Sequence, residues 1–296
     1  MEIAVGLPVG VVAGDSEVVF DWIARAEAGP FSGVAALDRV VSTGYEPLAV
    51  LAAAAGATHR VRLHAAVIIG PTRETTLLAR QTATVDALSG GRLSLGFGVG
   101  ARRDDYAASG QDFGGRGRRL EAQLEILRRL WSGRPLSEEI GRIGPPAARP
   151  GGPEVLIGGY VEAVARRVAT WGDGYVAPGG GTDEAVLAQW GRVLGAWSAA
   201  GRAGSPRFVW GGYFALGPHA DDHARAYIEA QYGWDPATAT RRLAGIPTAP
   251  AALRALLERR GAQGVDEFIL RPCAPEIGQL DRLADLVGGG LSFPAG

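Results

Sequence analysis

Residues 77–106 read LLARQTATVDALSGGRLSLGFGVGARRDDY. Leu77, Leu78, Gln81, Val85 and Leu88 recur at helical spacing, and Ala79, Ala83 and Ala87 favour helix. Ser89-Gly90-Gly91 stops that helix where a left-handed residue is cheap only for glycine. Arg92 to Gly100 then reads as a buried strand with glycines at positions 96, 98 and 100. Glycine inside a strand forfeits packing and costs chain entropy. Two readings stay open: a flat ring or phosphate lies against that backbone, or the glycines relieve crowding in a tightly curved sheet.

Outward from this unit, the chain alternates strand and helix. Before it come a strand at Ile3–Leu7 and a helix capped by Asp15 or Ser16, with Val19, Phe20, Ile23 and Ala26 on its inner face. A strand at Phe31–Leu37 ends on Asp38-Arg39, a helix spans Leu48–Ala57, and a third strand spans Val61–Ile69. After it come a helix at Arg116–Trp131 and a proline- and glycine-rich loop at Gly133–Pro153. Strands at 155–157, 174–177, 207–216 and 265–270 follow, with helices at 161–171, 182–200, 222–232, 251–260 and 277–287. The segment Gly233–Pro250 reads as an excursion. Eight strands, each followed by helical material, predict an α/β fold: one (β/α)8 barrel domain over residues 1–296 with insertions after strands 4 and 7. The competing architecture is a doubly wound open sheet with a second domain, but no composition break marks a boundary.

Composition narrows the function. The 296 residues are 47% hydrophobic with a formal net charge of −1, so the chain carries no electrostatic footprint for nucleic acid. Cys273 is the one cysteine, which excludes an internal disulfide and a multi-cysteine metal centre. Met1 leads almost directly into a strand, and the longest apolar run, Leu48–Ala57, is too short to cross a bilayer, so a cytoplasmic protein without a membrane partner is expected.

In a barrel the chemistry sits at the C-terminal ends of the strands. That face would hold Pro8, Asp38-Arg39, Ala66–Ile69, Gly98–Gly100, Gly158–Tyr160, Pro178–Gly181 and Arg271. It contains no Ser-His-Asp set, no evident carboxylate pair and no HExxH helix. A mouth rich in glycine and poor in reactive side chains suits an enzyme whose cofactor brings the chemistry.

Three stretches carry a resemblance: LARQTATVDALSGGRLSLGFGVGARRDDYAASG at 78–110, VLIGGYVEAVARRVATWGDGYVAPG at 155–179 and RVRLHAAVIIGPTR at 60–73. In this order they resemble the luciferase-like flavin and deazaflavin oxidoreductases, over essentially the whole chain and more weakly after Pro206. The resemblance implies a barrel that binds coenzyme F420 or FMN and acts on a small organic substrate by hydride transfer or monooxygenation. It implies a bulge at the end of the third strand with a cis peptide at Ala66–Val67 behind the ring. Valine at 67 points to F420, because deazaflavin users tend to carry a larger aliphatic residue there. Cofactor contacts would come from Ala66, Val67, Gly98, Val99, Gly100, Gly158, Gly159 and Tyr160, with the helix after Tyr160 favouring the phosphate. The family is often dimeric.

One position departs from the family. Arg39 stands where many catalytic members have histidine at the end of the second strand. Arginine stays protonated near neutral pH and cannot shuttle a proton. Arg39 would steady an anionic reduced ring or orient an acidic substrate, with Asp38 as acceptor or base; alternatively the two form a rim ion pair. The departure also leaves open a flavin-binding relative that has lost catalysis. A Rossmann-type NAD(P) enzyme is a further alternative, from Gly96-x-Gly98-x-Gly100 with Glu121 downstream, although the spacing is wrong for GxGxxG. His64 reads as a core histidine and Cys273 as a buried thiol. Asp86 and Arg92 are expected to pair across the turn. His219 and His223, one helical turn apart, read as a solvated face rather than metal ligands.

Overall fold

Parallel pairing in unbroken sequence order closes the sheet. In the computed structural model, which describes residues 1–10 and 13–289, β1 (Glu2–Gly6), β2 (Gly33–Ala36), β3 (Arg62–Ile69), β4 (Leu93–Gly98), β5 (Glu154–Gly158), β6 (Gly174–Ala177), β7 (Arg207–Phe214) and β8 (Glu267–Pro272) form one closed barrel. β8 returns to pair with β1, Ile3 opposite Phe268. The architecture is the expected (β/α)8 barrel. The doubly wound alternative, and with it the Rossmann reading, is ruled out because the strands close into a barrel in sequence order.

The helices are α1 (Ser16–Ala28), α2 (Pro47–Ala57), α3 (Thr75–Leu88), α4 (Arg103–Ala108), α5 (Arg116–Trp131), α6 (Ala163–Trp171), α7 (Asp183–Ala199), α8 (Ala220–Tyr232), α9 (Pro236–Ala244), α10 (Pro250–Ala262) and α11 (Ile277–Gly288). Local chemistry sets their ends. The Asp15 side chain accepts from Val18 N, Glu46 accepts from Ala49 N ahead of Pro47, and Thr182 accepts from Ala185 N. Gly90 and Gly91, at φ +65° and +85°, turn α3 into β4. The insertions fall as expected. α4, α5 and the 132–153 loop follow β4, and α8, α9 and α10 follow β7; the short α4 and α9 had no legible periodicity.

Three packing expectations are corrected. In α1 the buried residues are Val19, Trp22, Ile23 and Ala26, and Phe20 faces solvent. In α3 the inner stripe is Leu78, Ala79, Thr82, Ala83, Val85 and Asp86, leaving Leu77 and Leu88 exposed. Asp86 and Arg92 do not pair. Asp86 accepts from Ala148 N at 3.0 Å, tying down the long loop, while Arg92 donates to Thr58 and Val61 carbonyls at 2.7 Å.

The barrel interior is layered. At the N-terminal end a charged network fills it: His64 Nε2 lies 3.0 Å from Glu267, Arg207 reaches Glu267 at 2.6 Å and Glu154 at 2.8 Å, and Ser32 donates to Glu267 at 2.5 Å. His64 is thus a core histidine, as expected. Burial pushes the Glu267 carboxyl up, but His64, Arg207 and Ser32 outweigh it and hold it at about 2. Above lies an aliphatic layer in which Leu156, Val176, Val209 and Ile269 face three alanines, Ala4, Ala35 and Ala66. Beyond this layer the C-terminal end is open.

Candidate active site

That open end is a cavity of about 360 Å³. Its lining brings together every expected site residue: Asp38, Arg39, Ala66, Val67, Gly98, Val99, Gly100, Gly158, Gly159 and Tyr160. The floor is built on β3. Its register with β4 shifts between Ala65 and Ile68, and the Ala66–Val67 peptide is cis, as the resemblance implied.

Val67 explains much of the glycine pattern. A Cβ at Gly96 would lie 2.9 Å from Val67 Cγ1, and one at Gly98 would lie 3.0 Å from Val67 Cγ2. Gly100 is at φ +64°, where a side chain would also press on Ile69. Crowding therefore accounts for Gly96. Gly98 and Gly100 answer to crowding and also present bare backbone to the cavity. Across the mouth, Gly158 and Gly159 do the same after β5. The Tyr160 hydroxyl donates to the Pro178 carbonyl at 2.8 Å and joins the β5 and β6 exits.

The alternative, an Asp38–Arg39 rim ion pair, is not formed. Asp38 is buried and accepts from Ile69 N at 2.9 Å and from Arg73 at 2.8 Å, so its carboxylate fixes the end of β3. Arg39 instead donates to the Gln231 side chain at 3.2 Å, and its Nε is buried with no acceptor among the described residues. Burial, then the charge of Arg102, lowers the Arg39 pKa from its ordinary value. It nonetheless remains a cation near neutral pH.

Strands and helices not assigned to the site complete it. Tyr213, on β7, and Tyr232, at the end of α8, share a 2.6 Å hydrogen bond between hydroxyls. Gln231, Trp234, Arg102 and Arg242 join the lining. Arg271, at a strand exit already marked in sequence, donates to the Ala66 carbonyl at 2.7 Å. Trp234 and Arg242 were missed because the Gly233–Pro250 segment has no periodicity, whereas Gln231 and Tyr232 fall on the expected 222–232 helix without a signal that its end meets the mouth. The segment's one signal was Trp234, Arg241 and Arg242 within one short stretch. Cys273 packs with Tyr213 and Tyr227 away from the lining, and burial pushes its thiol up to about 12. The His219 side chain is exposed and His223 is partly so, with ring centroids 6.4 Å apart.

A bare-backbone wall, a valine floor and an unpartnered buried guanidinium Nε fit a flat, anionic ring system. Asp105 is tied to Val41 N at 2.8 Å, so neither lining carboxylate is unengaged. No described helix is long and apolar enough to cross a membrane.

Comparison with known proteins agrees with this geometry. A monooxygenase from Streptomyces bottropensis shares the fold at a TM-score of 0.77 with 22% identity over 98% of both chains. An F420-dependent secondary alcohol dehydrogenase, solved with an F420–acetone adduct, also scores 0.77, at 15% identity over 96% of this chain and 97% of that one. A type II Baeyer–Villiger monooxygenase from Pseudomonas putida, solved with FMN, scores 0.69 at 15% identity over 97% and 96%. An uncharacterized protein of Mycobacterium tuberculosis is 33% identical over 198 residues, 63% of this chain and 68% of that protein. The sequence model described as luciferase-like monooxygenase matches residues 9–288, and the chain belongs to that family.

Proposed function

We propose that this chain is a cytoplasmic oxidoreductase that uses reduced F420, with FMN as the alternative, on a small organic substrate. One observation carries the reading. Val67 closes the floor of a cavity whose walls at Gly98–Gly100 and Gly158–Gly159 are backbone, and no lining carboxylate there is unengaged. The reactive group must then arrive with a bound molecule. When bound, the deazaflavin supplies the hydride. Ala66 and Val67 would back its ring. Gly98, Val99, Gly100, Gly158, Gly159 and Tyr160 would let it approach the backbone, and N–H groups ahead of α6 favour a phosphate. Arg39 supplies a fixed cation at the mouth, a contribution that needs no reorganisation during reaction. Asp38 is reassigned from base to positioning residue, since it holds Ile69 N and Arg73. F420 rather than FMN is supported by valine at 67, while the neighbours in fold include both an F420-bound and an FMN-bound enzyme. Titration of F420 and FMN into the apo-protein tests the choice. Tighter F420 binding is expected, and clear preference for FMN would move the reading to monooxygenation.

A further inference from the structure

Beside the mouth, between the Gly179–Gly181 loop, β7, α9 and α10, lies a second cavity of about 390 Å³. Gly179, Tyr213 and Arg242 line both cavities, so the two adjoin. Four arginines border the second one: Arg241 and Arg242 from α9, Arg259 and Arg260 from α10. Its single carboxylate, Asp183, is already bound by Arg259 at 3.0 Å and Arg260 at 2.8 Å.

The remaining cations lack counter-charges. Among the described residues, neither Arg241 nor Arg242 forms an ion pair; Arg241 donates to Thr238 Oγ1 at 2.8 Å. The Arg242 guanidinium stacks on the Tyr232 ring at 4.0 Å with its Nε buried and without an acceptor. Gly180 makes the room, since any side chain there would collide with Arg242. Arg260 is only 7% exposed, lies over the Trp210 ring at 3.8 Å, and also has a buried Nε without an acceptor. Half-buried Arg242 has no counter-charge among the described residues, the buried Arg260 shares Asp183 with Arg259, and planar guanidinium forks match phosphate and carboxylate geometry.

We propose that this cavity is the anion compartment of the active site, taking the phosphate or carboxylate end of a ligand whose other end lies in the barrel mouth. That both cavities serve one ligand rests on the redox-cofactor reading above; that this one binds an anion does not. Arg242 stands at the junction and would contact the anion first.

Calorimetric titration of inorganic phosphate into the full chain tests it, using wild type, the double variant Arg241→Ala/Arg242→Ala, and Arg225→Ala. Arg225 is an α8 arginine outside the lining with a 66% exposed side chain, and controls for loss of charge. α9 contributes no buried residue, so the double variant should fold, which melting temperature verifies. Saturable binding is expected, weakened at least tenfold in the double variant and unchanged in the control. No saturable binding, or equal binding by the double variant, would overturn the proposal. FMN and riboflavin, which differ by the phosphate, distinguish the source of the anion. A wild-type preference for FMN that falls towards unity in the double variant assigns the anion to the cofactor and moves its phosphate from the α6 end to this cavity. A preference that survives while phosphate binding is lost assigns it to the substrate. If wild type binds phosphate but neither flavin nor F420, the compartment stands and the cofactor reading fails.

Discussion

The Arg271 guanidinium and the Ala66 carbonyl oxygen, 205 positions apart in sequence, are joined by a 2.7 Å hydrogen bond across the barrel mouth. Neighbouring strands make space for it. A Cβ at Gly6 on β1 would sit 2.9 Å from Arg271 Cγ, and one at Gly211 on β7 would collide with the guanidinium. A cation only 8% exposed is thereby locked behind the floor of the site.

Arg271→Ala should leave the Ala66 carbonyl without its donor and let the floor shift. A buried unsatisfied polar group costs about 1–3 kcal/mol, so the melting temperature should fall visibly. Cofactor affinity should fall with it, at least tenfold. Thermal melts and cofactor titration on one preparation check both, and unchanged affinity would remove Arg271 from the site.

Asp38 and Arg39, adjacent in sequence, should separate in their effects. Asp38→Ala removes the acceptor from Ile69 N and one of the two carboxylates on Arg73, which keeps Glu46 at 2.8 Å, and leaving a buried donor unsatisfied costs about 1–3 kcal/mol. Arg39→Ala removes no ion pair and should leave the melting temperature nearly unchanged. It should instead raise the apparent pKa of the bound reduced ring by about one unit, as an absorbance titration would read, because the anionic form loses its cation. A ring pKa equal to wild type would refute that role.

Acid should unfold the protein through Glu267. Its carboxyl is held at about 2 in the folded barrel against an ordinary 4.5. A group depressed on folding contributes stability above its unfolded pKa, and that contribution drains as pH falls through the folded value. The loss should therefore run from about pH 4.5 down towards pH 2, and amount to roughly 3 kcal/mol on a shift of this size. Glu267→Gln should be less stable at pH 7 and show a flatter acid limb. Urea melts at a series of pH values measure both, and parallel limbs would contradict the assignment.

Cys273 should resist alkylation. With its thiol pushed up to about 12 and buried, the thiolate fraction near neutral pH is negligible. Iodoacetamide should label it only after denaturation; rapid labelling of the folded protein would show that the Tyr213–Tyr227 cluster opens.

The barrel was legible because its units repeat one grammar of apolar strand, loop and capped helix. Arg116–Trp131 and Gly174–Ala177 begin and end where the sequence places them. Side-chain partnerships were less legible. Asp86 and Arg92 flank a turn, yet each found backbone partners elsewhere, because adjacency along a chain says little about direction in a barrel. Asp38 and Arg39 diverge for a similar reason: one packs behind the strand ends while the other reaches the mouth. The α3 stripe was misassigned since Leu77 and Leu88 look apolar whether or not they are covered. Arg242 escaped notice because its segment has no period to follow, and Tyr232 because the expected helix gave no sign that its last turn meets the mouth.

α9 adds no buried residue of its own, and it touches the Tyr213 cluster through partly covered Ala239 and Leu243 and through Arg242 on the Tyr232 ring. Two of the four arginines beside the mouth therefore ride on a segment that the barrel does not require for its own closure. Drift in that segment alters what the mouth accepts while the folding problem stays the same. Among chains sharing this barrel, ligand preference is then expected to diverge first in the stretch between β7 and α10, and a grafted segment there should carry preference from one chain to another.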